Sequence, residues 1–129
     1  MQKLLLIAVG GAIGAVLRAV VSDLATRVAG DGFPFGTLIV NVVGCAAIGF
    51  LGALVLGDGP ISMREDVRAG ILVGLLGGLT TYSTFSWETM GLLEEGLRGR
   101  ALANVLANTG LALVAVLLGA RVAQRIFGL

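Results

Sequence analysis

The chain has 129 residues, 57% hydrophobic and 13% charged, with nine Lys and Arg against eight Asp and Glu and no histidine. A soluble domain carries about a quarter charged residues, so this composition excludes an ordinary water-soluble fold and points to a membrane protein. The lack of histidine excludes imidazole-based nucleophiles, metal ligation and proton relays together, and the single cysteine, Cys45, excludes an internal disulfide and reads as a small packing residue.

Four apolar blocks are each about 20 residues or longer, enough to cross roughly 30 Å of hydrocarbon as a helix. The first is expected from Lys3 to Arg27. It runs past the apolar stretch of a signal peptide without a small-residue cleavage site, so it is taken as a span. Gly10 and Gly14, and Gly11 and Ala15, form small-xxx-small faces that let helix backbones approach closely. Arg18 lies four residues beyond Gly14 on the same face. An arginine at this depth is costly unless it reaches the interface, a watery cavity or a partner. Its position suits either a snorkelling structural contact or an anion-attracting charge at a pore mouth.

A short link from Ala29 to Pro34 contains Gly-Asp-Gly and ends in a proline suited to start a helix. The second span is expected from Phe35 to Leu56, with Asn41, Cys45, Gly49 and Gly52 on one helical face. Asn41 is the only strongly polar side chain of that span. Spacing alone leaves it open between an interhelical hydrogen bond and a pair of donors lining an anion path. Residues Gly57 to Arg68 form the longest polar link, in which Ser62 or Asp66 is placed to cap the next helix.

The third span is expected to begin near Val67 and contains the stretch Gly74 to Glu88. Here apolar sequence with three glycines gives way, without any charge, to Thr80, Thr81, Tyr82, Ser83, Thr84, Phe85 and Ser86. Backbone at membrane depth leaves the helical ladder only where protein or water satisfies its polar groups. Hydroxyls and a Gly-Gly pair offer that relief. The helix is expected to emerge through Glu88, Glu94 and Glu95, and a last span to run from Ala101 to Val122, with Asn104 and Asn108 sharing a face directed at protein or water.

With an even number of spans, Lys3, Arg64, Arg68, Arg121 and Arg125 fall on one side and Arg27, Arg98 and Arg100 on the other. This bias is weak under the positive-inside rule, as expected of a chain inserted in both orientations. Catalysis is not expected. Gly10-Gly-Ala-Ile-Gly14 lacks the strand and acidic partner of a dinucleotide site, and no nucleophile has a base at hand. A small dual-topology proton-coupled multidrug-type transporter is the main rival, yet it needs an acid deep in a span, and Glu88 lies near an exit. Hydroxyls, amides, one arginine and the electropositive edges of Tyr82 and Phe85 instead suit passive conduction of a small anion, although two aromatics at helical spacing also suit plain packing.

The segment Gly77-Gly-Leu-Thr-Thr-Tyr-Ser-Thr-Phe-Ser-Trp-Glu88 resembles the third-helix signature of the Fluc/CrcB family of fluoride channels, GGLTTFSTFS followed by any residue and Glu. Gly10-Gly-Ala-Ile-Gly-Ala-Val-Leu-Arg18 resembles its first-helix GGxxGAxxR, and Gly36-Thr-Leu-Ile-Val-Asn-Val-Val-Gly44 its second-helix GTLxVNxxG. The resemblance covers nearly the whole chain, read as one domain over residues 1–129. It implies an all-α membrane protein with four transmembrane helices per subunit, the third broken near its middle, assembled as an antiparallel dual-topology dimer. It also implies selective passive export of fluoride across the cell membrane. Lipid and a second copy, or a homologous subunit, are its implied partners, and no nucleic acid.

By motif, a structural sodium ion is expected on the backbone carbonyls of Gly77 and Thr80, and a fluoride pore at Asn41, Tyr82, Ser83, Thr84, Phe85, Asn108 and Arg18. Tyr82 departs from the family's usual Phe. Asn104 and Asn108 stand where the family often shows Tyr and Ser, which raises one non-identical subunit of a heterodimeric channel as an alternative.

Overall fold

A computed structural model describes residues 1–57 and 59–129, so Asp58 in the link read from 57 to 68 lies outside the described residues. The described chain is helical: α1 (Gln2–Ala29), α2 (Phe35–Val55), α3 (Glu65–Ala69), a π-helical stretch (Gly70–Leu76), α4 (Gly77–Leu79), α5 (Tyr82–Glu94) and α6 (Arg98–Phe127). Together α3, the π stretch, α4 and α5 make the third span, Glu65–Glu94, so four helical spans are long and apolar enough to cross a membrane.

The expected spans all form; the first, third and fourth extend beyond the expected bounds, and the second ends at Val55 rather than Leu56. The third begins at Glu65 rather than near Val67, and the fourth runs from Arg98 to Phe127 rather than from Ala101 to Val122. Hydrophobicity marks only the part of a helix inside hydrocarbon, whereas backbone hydrogen bonding continues into the interface, where arginines snorkel. Neither Ser62 nor Asp66 caps α3, whose N-cap is Arg64 with no side-chain bond. Asp66 instead pairs with Arg64 at 2.6 Å. Between the third and fourth spans the chain reverses at Gly96, where φ is 76°, a left-handed conformation natural only to glycine.

Helix packing follows the glycines. A Cβ on Gly10 would lie 2.3 Å from the Gly70 carbonyl oxygen, and one on Gly14 would lie 2.2 Å from that of Leu75. Those contacts press α1 onto the first half of the third span. A Cβ on Gly49 would lie 2.1 Å from the Val116 oxygen, and one on Gly119 the same distance from that of Ala46, which presses α2 onto α6. In hydrocarbon there is no hydrophobic drive between helices, so close backbone approach and dispersion supply the association. The two pairs join where Gly36 meets Ser22 and Gly44 meets the Thr80 methyl. Most large apolar side chains, such as Leu4, Val16, Leu106 and Leu117, point outward, as a lipid-facing surface requires.

Polar contacts at the span ends agree with the alternating topology. Lys3 bonds Glu65 at 2.5 Å, placing the start of α1 beside the start of the third span. At the opposite end Arg100 donates to the Gly32 carbonyl at 2.9 Å.

Gly49→Val is expected to separate α2 from α6 and lower stability by about 1–3 kcal/mol. The check is the thermal unfolding midpoint in detergent, where a midpoint equal to that of the wild type would contradict the packing described.

Candidate functional site

The third span is interrupted at Thr80 and Thr81. Both are extended, at φ −81°, ψ 155° and φ −153°, ψ 119°, between the end of α4 and the start of α5. The site is built around the backbone groups this interruption releases. In an unbroken helix the Thr81 N–H would close onto the Gly77 carbonyl. Here it donates to Asn41 Oδ1 at 2.8 Å, and the Thr81 carbonyl accepts from Asn41 Nδ2 at 3.1 Å. One side-chain amide from α2 therefore replaces the backbone partner on both sides of Thr81.

A second diversion follows one turn on. The Thr84 N–H, which a continuous helix would direct at the Thr80 carbonyl, instead donates to the Thr81 hydroxyl at 3.2 Å, the N-cap of α5. The Thr81 hydroxyl also donates to Thr84 Oγ1 at 3.0 Å. Gly77 and Thr80 are thus two residues whose carbonyls have lost their intrahelical donors. Carbonyl oxygens are hard ligands, suited to a cation that binds oxygen. Among the described residues no cluster of three His, Cys, Asp or Glu could hold a metal ion.

A groove of about 320 Å³ opens beside the interruption, lined by Asn41, Cys45, Thr80, Thr81, Tyr82 and Phe85 and, from α6, by Asn108, Thr109, Ala112 and Leu113. Tyr82 and Phe85 stand edge-on, with centroids 5.2 Å apart and planes at 65°. Phe85 is 6% exposed and fixed, whereas Tyr82 is 78% exposed at the mouth. Electropositive ring edges beside hydroxyls and amides make an uncharged lining.

Of the residues singled out from sequence, Asn41, Tyr82, Phe85 and Asn108 come together in this groove, and Thr80 joins them. Ser83 and Thr84 are exposed on the first turn of α5, outside its lining. Arg18 is likewise outside it, half-buried on α1 between Gly14, which meets Gly78 and the Leu79 backbone, and Ser22, which meets Gly36. Sequence reasoning missed three hydroxyls that matter. Thr81 caps α5. Thr37 donates to Glu88 Oε1 at 2.8 Å, while Glu88 Oε2 is buried with no partner among the described residues. Thr89 accepts from Asn104 at 2.9 Å and donates to the Phe85 carbonyl at 2.7 Å. Thr37 was within reach of the sequence, since it precedes Asn41 by one helical turn on the same face.

Comparison with known proteins adds an independent line. The family described as "CrcB-like protein, Camphor Resistance (CrcB)" matches residues 5–120. The chain is 49% identical over 120 residues to a protein named Fluoride-specific ion channel FluC from Shewanella frigidimarina (strain NCIMB 400), covering 92% of this chain and 94% of that one. Its namesake from Shewanella halifaxensis (strain HAW-EB4) is 46% identical over the same coverage. Another from Opitutus terrae (strain DSM 11246 / JCM 15787 / PB90-1) is 45% identical over 119 residues, covering 92% of this chain and 90% of that protein.

Asn41→Leu keeps the volume of the side chain and leaves the buried Thr81 N–H and carbonyl unpaired. It is expected to cost about 1–3 kcal/mol, read as a lowered unfolding midpoint. An unchanged midpoint would show that Asn41 does not sustain the interruption.

Proposed function

This chain belongs to the CrcB-like protein family, and from that premise we propose that it is a passive, fluoride-selective channel that lets fluoride leave the cell. It is a multi-pass membrane protein and not an enzyme. The observation that carries the reading furthest is the groove at the helix interruption, with its edge-on aromatic pair and uncharged lining. Fluoride is small and strongly hydrated, so a pore must replace water by many donors while leaving each site shallow enough to release the ion. Fixed lysines would hold it too tightly. Hydroxyls and ring edges offer graded, weak solvation.

In this reading Tyr82 and Phe85 present their edges to the ion, Asn41 and Asn108 form the groove wall, Ser83 and Thr84 continue the hydroxyl path on the outer face of α5, and Arg18 raises the positive potential nearby. The groove lies open along one side of the subunit, and a second copy closes it. The nearly even charge at the two ends of the spans favours an antiparallel arrangement of the copies. A sodium ion held by the carbonyls of Gly77 and Thr80 would bind the copies together and favour passing anions. The diverted donors at Thr81 and Thr84 support that assignment. The match over most of the chain leaves the multidrug-type transporter and the non-identical subunit as less favoured readings.

Three outcomes test this reading. Vesicles containing the purified dimer and loaded with fluoride are expected to release it well above empty vesicles, with chloride retained, and Phe85→Leu is expected to slow the release at least about tenfold through loss of the ring edge. No release from a folded dimer would sink the channel reading, and equal chloride release would sink its selectivity. Replacing sodium by a bulky organic cation is expected to shift the dimer toward monomer in detergent. A dimer indifferent to sodium would remove the ion from the account.

A further inference from the structure

The groove is held in shape by a hydrogen-bond chain that begins and ends on the same helix. From the interruption, Thr81 N–H donates to Asn41 on α2. Asn41 Nδ2 donates to Asn108 Oδ1 on α6 at 2.9 Å, and Asn108 Nδ2 donates to Asn104 Oδ1 at 2.8 Å and to the Asn104 carbonyl at 3.3 Å. Asn104 Nδ2 then donates to Thr89 Oγ1, which returns the chain to α5 by donating to the Phe85 carbonyl. All three amides are at least nine-tenths buried, with Asn41, Asn108 and Asn104 at 9%, 6% and 0% exposure.

The direction of the chain is fixed at its origin. Thr81 offers one backbone donor and one backbone acceptor, so Asn41 has only one orientation that meets both. Turning Asn41 over would set oxygen against oxygen at Thr81 and at Asn108. The same argument passes to Asn108 and Asn104. Both N–H groups of Asn41 are used, one on Thr81 and one on Asn108, and Asn108 spends its own on Asn104. These amides have no donor left for an ion in the groove. What they do hold is the segment from Thr81 to Phe85, clamped at its two ends by two neighbouring helices.

We propose that Asn104, Asn108 and Thr89 are positioning residues that act through Asn41 and the Phe85 carbonyl to fix the angle between Tyr82 and Phe85, and that they do not solvate the ion. What the ring pair accomplishes rests on the channel reading, whereas the clamp itself does not. Fully satisfied buried amide networks of this kind rigidify what they touch and are sensitive to the loss of any one member. Asn104 and Thr89 do not line the groove, so any effect they have on the rings must travel along the chain of bonds.

Tyr82 is the only tyrosine, so replacing it with 3-fluorotyrosine gives a single reporter on this ring. In detergent without fluoride, the wild-type protein is expected to give one narrow fluorine resonance. Asn104→Leu and Thr89→Val are each expected to broaden or split it, and Thr89→Ser, which keeps the hydroxyl, to return the narrow line. Thr89→Val removes one oxygen from a half-buried site and serves if Asn104→Leu does not fold. In vesicles, Asn104→Leu and Thr89→Val are expected to slow fluoride release about tenfold, and Asn41→Ala combined with Thr89→Val to be no slower than Asn41→Ala alone, because members of one network are not additive. An unchanged resonance in folded Thr89→Val overturns the inference, whether or not release is slowed, and so does a double variant whose defects multiply. Failure of the wild-type protein to release fluoride would overturn the channel reading and leave the resonance test standing.

Discussion

A backbone cannot leave the helical ladder inside a membrane without a replacement for each released N–H and C=O, and this one requirement organises the protein. Thr80 and Thr81 leave the ladder, and Asn41 takes both polar groups of Thr81. That single amide fixes where α2 must stand relative to the third span. It needs α2 close to the break, and Gly44 provides the closeness, since its missing side chain leaves room for the Thr80 methyl. It also needs α6 beside α2, which Gly49 and Gly119 supply by letting backbones touch. The glycines of these seams are thus a condition of the polar site as much as of the packing. Bulkier seams would hold helices apart by more than an amide can span.

The π-helical stretch from Gly70 to Leu76 fits the same logic. It lies just before the break, against the glycine face of α1, where Gly74 and Gly78 approach the Ile7 and Gly11 backbones. A π turn takes one extra residue and so rotates whatever follows by about a third of a helical turn. That rotation contributes to where the released groups at Gly77 to Thr81 point. Helix packing upstream and polar satisfaction downstream are therefore coupled through a local change of winding.

Most of the architecture was legible because hydrophobicity reports membrane depth directly. The four spans, the small-residue faces around Gly10 and Gly14, and a polar stretch from Thr80 to Ser86 that holds the break at Thr80 and Thr81 all follow from composition and period. Asn41, Tyr82, Phe85 and Asn108 were singled out from sequence, and they meet at one groove. Less legible was what the amides are doing. A buried Asn looks the same in sequence whether it faces an ion, water or another amide, and only the folded structure shows that the donors of Asn41 and Asn108 are occupied. The π stretch was invisible because winding depends on contacts with α1 and leaves no residue signature of its own. Thr81 and Thr89 were hidden for a related reason, since threonine in a membrane helix commonly bonds to its own backbone, and partners on α2 and α6 are not encoded by local spacing.

The break also sorts charge without using charged side chains. The half ending at α4 presents carbonyls with diverted donors, a partial negative end, while α5 begins at Tyr82 with a partial positive end. One end suits a cation and the other an anion, a few residues apart in one helix. A formal charge at this depth would cost several kcal/mol and would bind a counter-ion firmly. Opposed helix ends attract both signs weakly, at fixed places, and with no reorganisation. Tyr82 stands on the α5 side of the break and is 78% exposed. Under the channel reading the phenol would act in two opposite ways according to its orientation: an O–H directed at an anion would add a donor, and an oxygen lone pair would repel it.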